Sequence, residues 1–115
     1  MVYADLQITK RCLNIADTKT TQNIKISDRM KEADNYVNTQ ISIHAATPLT
    51  APDEELITLA SSLAASIHNY WQTPAKDRTL AGIKEWKKAV QDHIMSVYGE
   101  KSASGLSGSS FGKTS

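Results

Sequence analysis

Apolar residues recur every three or four positions in four separate stretches of this chain, divided by polar or proline-containing connectors. The widest stripe lies in the run LITLASSLAASIHNYWQTPA, Leu56 to Ala75, which contains no Asp, Glu, Lys or Arg. Leu56, Leu59, Ala60, Leu63, Ala64, Ile67 and Trp71 step along one face of a helix. Ile57, Ala65 and Tyr70 broaden that face, and Ser61, Ser62 and Ser66 are small enough for other helices to approach closely. The pattern predicts a central helix covered by its neighbours. Pro52 followed by Asp53, Glu54 and Glu55 marks its start, because proline suits a first helical turn and acids there complement the helix dipole. Pro74 sets its end near Trp71 or Gln72, since proline cannot continue a helix and restricts the residue before it.

The other stretches read as shorter or more polar helices around that one. Tyr3 to Ile15 predicts a first helix with Asp5 in its first turn, Leu6, Thr9 and Leu13 beside Ile8, Cys12 and Ile15 as its apolar stripe, and Lys10 and Arg11 in its last turn. Asp17 to Asn23 is polar and reads as a connector. Ile24 to Ile43 predicts a second helix, with Ile26, Met30, Ala33, Val37 and Ile41 inward, Tyr36 at the edge, and Arg29, Lys31, Glu32, Asp34 and Asn38 on the wet surface. Thr20 or Thr21 is its expected cap. Pro48 and Pro52 bracket a loop. A last helix runs from Asp77 or Thr79 to Tyr98, with Leu80, Ile83, Trp86, Val90, Ile94 and Val97 inward and Lys84, Glu85, Lys87, Lys88, Gln91 and Asp92 outward. Gly99 is placed to close it in the left-handed conformation. Gly82 lies inside it at a cost of about 1 kcal/mol relative to alanine, which points to another backbone passing close.

The expected fold is therefore all-α: a small bundle of about four helices over residues 1–99, followed by a C-terminal arm over residues 100–115. The arm, EKSASGLSGSSFGKTS, is rich in Gly and Ser and cannot by itself bury enough surface to offset its ordering entropy. Leu106 and Phe111 are spaced apolar anchors within it and fit an arm that docks elsewhere.

Size and charge narrow the function. A chain of 115 residues suits one modest core rather than a deep cleft between two domains. The net charge of +1 gives no overall basic footprint for non-specific nucleic-acid binding. The one cysteine, Cys12, cannot staple the fold and reads as a small buried apolar side chain, so nothing calls for an oxidising compartment. The start, MVYADLQITKRCL, lacks the basic and then apolar order of a secretory signal. The central run is long enough to span a bilayer, but Thr58, its serines, His68 and Asn69 favour burial in protein. The expected setting is a reducing cytoplasm or a particle assembled there.

Candidate chemistry is sparse. GLSGSSFGK has the composition of a phosphate-binding loop, yet Gly105 and the Gly112-Lys113-Thr114 ending are two residues too far apart, and no strand precedes it. None of the three histidines, His44, His68 and His93, pairs with another at helical spacing, so no helical metal face is expected. His68 reads as a buried, hydrogen-bonded structural histidine. His93 follows Asp92, but adjacent residues of a helix point in different directions. Asp53, Glu54 and Glu55 are accounted for by their place in a first turn, and Tyr70, Trp71 and Trp86 read as core. No active site, metal or cofactor is expected. Lys84, Lys87 and Lys88 form a small basic cluster that reads mainly as a solvated face. It also carries the alternative function, a small nucleic-acid-binding or regulatory bundle touching phosphate or an acidic partner. The connectors are too long and proline-rich for a helix-turn-helix.

In order and pattern the chain resembles the head–tail connector (adaptor, or head-completion) proteins of tailed viruses. The resemblance covers about residues 3 to 98. It rests on the short first helix ADLQITKRCL, the long helix patterned I-x3-M-x2-A-x3-V-x3-I, the proline loop, the acid-started helix PDEELITLASSLAASIHNYW, and a further helix with a flexible end. The resemblance implies a non-enzymatic, all-helical virion protein without cofactors. It implies a homo-oligomeric ring, twelve-fold where it sits on the portal, in the neck between capsid and tail, assembled in the host cytoplasm. It implies the portal protein and a tail or second connector protein as partners, and DNA passing non-specifically through the lumen. A C-terminal arm docks on the portal in such proteins, and Leu106, Phe111 and Lys113 are the matching candidates here.

Overall fold

The computed structural model describes residues 3–44 and 52–99. Among them four α-helices and no strand are found: α1 (Leu6–Cys12), α2 (Asn23–Ser42), α3 (Glu54–Gln72) and α4 (Ala81–Ile94). A 3-10 turn (Ala75–Asp77) precedes α4 and a π-helical turn (Met95–Gly99) continues it. The chain is thus an all-α bundle, as its periodicity predicts. The expected arm over residues 100–115, with Leu106, Phe111 and Lys113, lies outside the described residues.

α3 is the hub, packed against α1, α2 and α4. Asp53 caps it, its carboxylate accepting from the Leu56 N–H at 3.1 Å, and Glu54 and Glu55 follow in the first turn. Leu56, Ala60, Leu63, Ala64 and Ile67 are buried and meet Ile26, Met30, Ala33, Val37 and Ile41 of α2, with Val90 and Ile94 of α4 closing the core. Each large side chain removed from water in this way contributes about 1.5–3 kcal/mol. Ser61 and Ser62 are buried at the α1 crossing, and the Ser61 hydroxyl accepts from the Asp5 N–H at 2.8 Å while donating to the Ile57 carbonyl.

α1 is shorter than its stripe predicts. Asp5 caps its start, accepting from the Ile8 N–H at 3.0 Å. At its end Asn14 turns left-handed (φ 60°), with Ile15 N–H bonding to Lys10 O at 2.9 Å and Asn14 N–H to Arg11 O at 3.1 Å. This Schellman closure removes Leu13 to Ile15 from the helix. Two expectations are reversed as a result. Cys12, expected to be buried, is the last helical residue and is exposed, its Sγ 3.8 Å from Ser62 Oγ. Lys10, placed at the helix end for its charge, is buried instead. Its ammonium donates to the Asp17 and Lys19 carbonyls and so holds the following connector.

Asp34, expected on the wet surface of α2, is buried because the chain start crosses there. Its Oδ1 accepts from the Tyr3 and Ala4 N–H groups at 3.1 and 2.8 Å, and Tyr3 and Ala4 join the core. α2 begins after Gln22, and neither Thr20 nor Thr21 caps it with a side chain.

The last helix also differs. It starts at Ala81, and Leu80 precedes it at the N-cap, where it is exposed rather than inward. Trp71 is likewise exposed and Tyr70 half-buried, because α3 ends at the edge of the bundle, where arginine side chains rather than a neighbouring helix meet its last turn. Gly99 does not adopt a left-handed conformation; it closes the π-helical turn, where a Cβ would stand 2.5 Å from Met95 Sδ. A Cβ on Gly82 would meet only Ser66 Oγ at 3.8 Å, so no backbone approach requires that glycine.

Candidate interaction surfaces at the two ends of the bundle

α2 and α4 both run antiparallel to α3, so the start of α3 meets the ends of α2 and α4, and the end of α3 meets their starts. The Asp53–His93 and Gln22–His68 hydrogen bonds fix this arrangement. Two surfaces about 28 Å apart follow from the 1.5 Å rise of the intervening helix.

At the start of α3, His93 lies between two carboxylates. Its Nε2 is 2.7 Å from Asp53 Oδ2 and its Nδ1 is 3.3 Å from Glu55 Oε2. The Tyr98 hydroxyl donates to Asp53 Oδ1 at 3.3 Å. Asp92, the sequence neighbour of His93, instead pairs with Lys88 at 3.1 Å. Burial works to raise the Asp53 carboxyl, but hydrogen bonds from His93 and the Leu56 N–H, with the charge of His93, hold it below its ordinary 3.8. Burial and the Asp53 charge push the Tyr98 phenol above 10.0. Beside this group a cavity of about 350 Å³ lies between the ends of α2 and α4, lined by Ile43, His44, Ile94 and Met95 among others. Ile43 and Met95 are 68% and 58% exposed.

At the end of α3, His68 is buried and its Nε2 lies 2.8 Å from Gln22 Oε1, an acceptor, so Nε2 carries the proton. Its Nδ1 has no partner among the described residues. Burial holds this imidazole below its ordinary 6.5, assisted by Arg29 and Lys25. It is buried and hydrogen-bonded, as the sequence suggests. Beyond it Arg78 reaches back over the end of the helix. Its Nε donates to the Tyr70 and Thr73 carbonyls at 3.0 and 2.9 Å, a cation satisfying the carbonyls at the negative pole of the dipole. The guanidinium carbons of Arg78 and Arg29 stand 4.9 and 5.3 Å from the Trp71 ring centroid, within cation–π range. Tyr70 meets Trp71 edge to face at 5.1 Å. Trp71, Leu80 and Ile24 are 47%, 49% and 80% exposed. Tyr70, Arg78, Thr79 and Ile83 help to line a cavity of about 210 Å³ here.

The lysine cluster is largely engaged within the bundle. Lys87 Nζ lies 5.0 Å from the Tyr36 ring centroid and Lys88 pairs with Asp92, while Lys84 is exposed on this face. Cys12, Ser62, Ala65, Ser66, Asn69 and Trp86 line a shallow cavity of about 350 Å³ on the flank of α3. Among the described residues, no group of three or more His, Cys, Asp or Glu side chains is arranged to hold a metal ion, and no helix is long and apolar enough to cross a membrane. Sequence reasoning missed Arg78, Gln22 and the Asp53–His93 pair. A basic residue soon after Pro74 is the one local signal for the first, and the others join residues 40 and 46 positions apart, with no local signal. No family model matches this chain, and no curated protein or solved structure matches it.

Proposed function

We propose that this protein acts by assembly rather than by catalysis, as a virion structural protein of the head–tail connector kind. In this reading copies form a ring between the portal and the tail, the arm over residues 100–115 docks on the portal through Leu106, Phe111 and Lys113, and DNA passes through the lumen. The observation that carries it is the placement of exposed apolar side chains. Ile24, Trp71 and Leu80 stand at one end of the bundle and Ile43 and Met95 at the other. Large apolar groups gathered at defined places mark contact with other proteins more often than scattered ones do. The helix order that underlies the resemblance adds support.

The test is electron microscopy of the protein mixed with the portal encoded beside its gene, using the full chain and a chain ending at Gly99. A ring on the portal that is lost on truncation is the expected result. No association of either chain with the portal overturns the connector reading. Salt-sensitive DNA binding that depends on Lys84, Lys87 and Lys88 would replace it with the nucleic-acid reading.

A further inference from the structure

Gly99 stands at the rim of the cavity between the ends of α2 and α4. A Cβ built on it would lie 3.8 Å from His44 Cε1, and His44 lines that cavity with Ile43, Ile94 and Met95. Ile43 and Met95 are the large apolar side chains left exposed there. Asp92 on the same wall is paired with Lys88, so the groove offers apolar contact rather than charge. Its volume of about 350 Å³ admits an aromatic ring, since an apolar cavity of about 150 Å³ already holds benzene.

We infer that in the free chain the segment over residues 100–115 turns back onto its own bundle and seats Leu106 and Phe111 in this groove, against Ile43 and Met95. The occupant follows from where the segment starts and how far it reaches. It leaves Gly99 beside the groove, and Leu106 and Phe111 are its only large apolar side chains. Leu106 is seven residues from Gly99, a span of at most about 25 Å, which falls short of the Trp71 end about 28 Å away. Gly105 precedes it and supplies the backbone freedom that a reversal of direction needs. A group tethered this closely acts as though present at about millimolar concentration. It therefore takes the groove ahead of a second copy, or a partner of like affinity, at micromolar levels. The inference goes beyond the assembly reading, because it concerns the free chain. Any partner that uses Leu106 and Phe111, the portal included, must first displace them from the groove.

NMR of the methyl-labelled full chain tests it, through nuclear Overhauser contacts to the Ile43 δ1 and Met95 ε methyls. Contacts from the Leu106 methyls and the Phe111 ring are expected in the wild type, independent of protein concentration. Leu106→Ser with Phe111→Ser should abolish them and shift both methyl resonances. The Met30 methyl, buried in the core, should stay in place and so report an intact fold. Wild-type spectra without those contacts overturn the inference, and so do Ile43 and Met95 methyls left unmoved in the double variant. Contacts from Leu49 in their place assign the groove to the connection between α2 and α3. Contacts seen only between differently labelled molecules assign it to a second copy. Either result also overturns the inference. Portal binding is read separately by the microscopy above, so failure of one reading leaves the other standing.

Discussion

The two ends of α3 each hold a buried or nearly buried histidine, and the two imidazoles are treated in opposite ways. His93 sits between the carboxylates of Asp53 and Glu55. His68 faces the neutral amide of Gln22, with Arg29 and Lys25 near enough to disfavour a second charge. The contrast shows that a histidine's role in a bundle is set by what the antiparallel neighbours bring to it, here from 40 and 46 positions away. One end is tied by an imidazole held between two carboxylates and the other by a cation cap and a neutral hydrogen bond.

The largest expected effect comes from cutting the tie at the start of α3. Asp53→Ala removes the acceptor of the Leu56 N–H and the partner of His93 and Tyr98 together. A lost N-cap and a lost hydrogen bond from a histidine amount to about 2 kcal/mol, allowing for the partial exposure of the carboxylate. Asp53→Asn keeps a capping oxygen and should recover about half of that loss. Urea unfolding at pH 7 measures both. Equal losses in the two variants would mean that the cap contributes nothing. The same carboxyl gives an acid limb. Its folded value lies below 3.8, so its contribution is present above that pH and drains away as pH falls through the lower folded value.

At the opposite end, Arg78→Ala should cost about 1 kcal/mol, since it uncovers the Tyr70 and Thr73 carbonyls and one flank of Trp71. Trp71 fluorescence should change with it, while the Asp53 end is unaffected. Arg78→Lys retains the charge but not the guanidinium Nε–H that reaches the Tyr70 and Thr73 carbonyls, and should recover only part of the loss. Full recovery would reduce the role of Arg78 to charge alone.

The third test reads His68 by pH. His68 binds its proton more weakly in the folded chain than its ordinary value of 6.5, because burial disfavours the charged ring. The unfolded chain therefore takes up the proton first, and stability should fall as pH drops through 6.5, levelling once the folded ring is protonated. His68→Leu removes this slope and the unpartnered Nδ1 with it, leaving the exposed Gln22 amide to water. Unfolding midpoints from pH 7.5 to 5 in the two proteins measure the difference. A slope that persists in His68→Leu assigns it to another group.

These contrasts also mark how far the sequence could be read. The stripe Ile26, Met30, Ala33, Val37 and Ile41 is buried as its period requires, and Pro52 to Glu55 opens α3 where the capping rules place it. Local rules sufficed because helix faces and caps are local. They failed where a distant segment supplied the partner. Asp34 looked like a surface acid until the Tyr3 and Ala4 N–H groups reached it, and Lys10 looked like a dipole charge until the connector carbonyls enclosed it. Trp71 and Leu80 failed for another reason. Their spacing continues an apolar stripe past the point where a neighbouring helix is there to cover it.

The smallest expected effect lies in the glycines, one at each end. Gly82 stands in the first turn of α4, where an added Cβ would make only an ordinary contact, with Ser66 Oγ at 3.8 Å. Gly82→Ala should therefore stabilise by about 0.5 kcal/mol, through helix propensity and the reduced freedom of the unfolded chain. Gly99 is buried in the π-helical turn, and a Cβ there would press on Met95 Sδ at 2.5 Å. Met95 is more than half exposed and its thioether can swing aside, so Gly99→Ala should lose the propensity gain to repacking and end near neutral. Thermal unfolding of the two variants side by side reads the difference. A destabilising Gly82→Ala would mean that α4 packs closer to Ser66 in solution than 3.8 Å allows, and a stabilising Gly99→Ala would mean that the π-helical turn does not depend on the missing side chain.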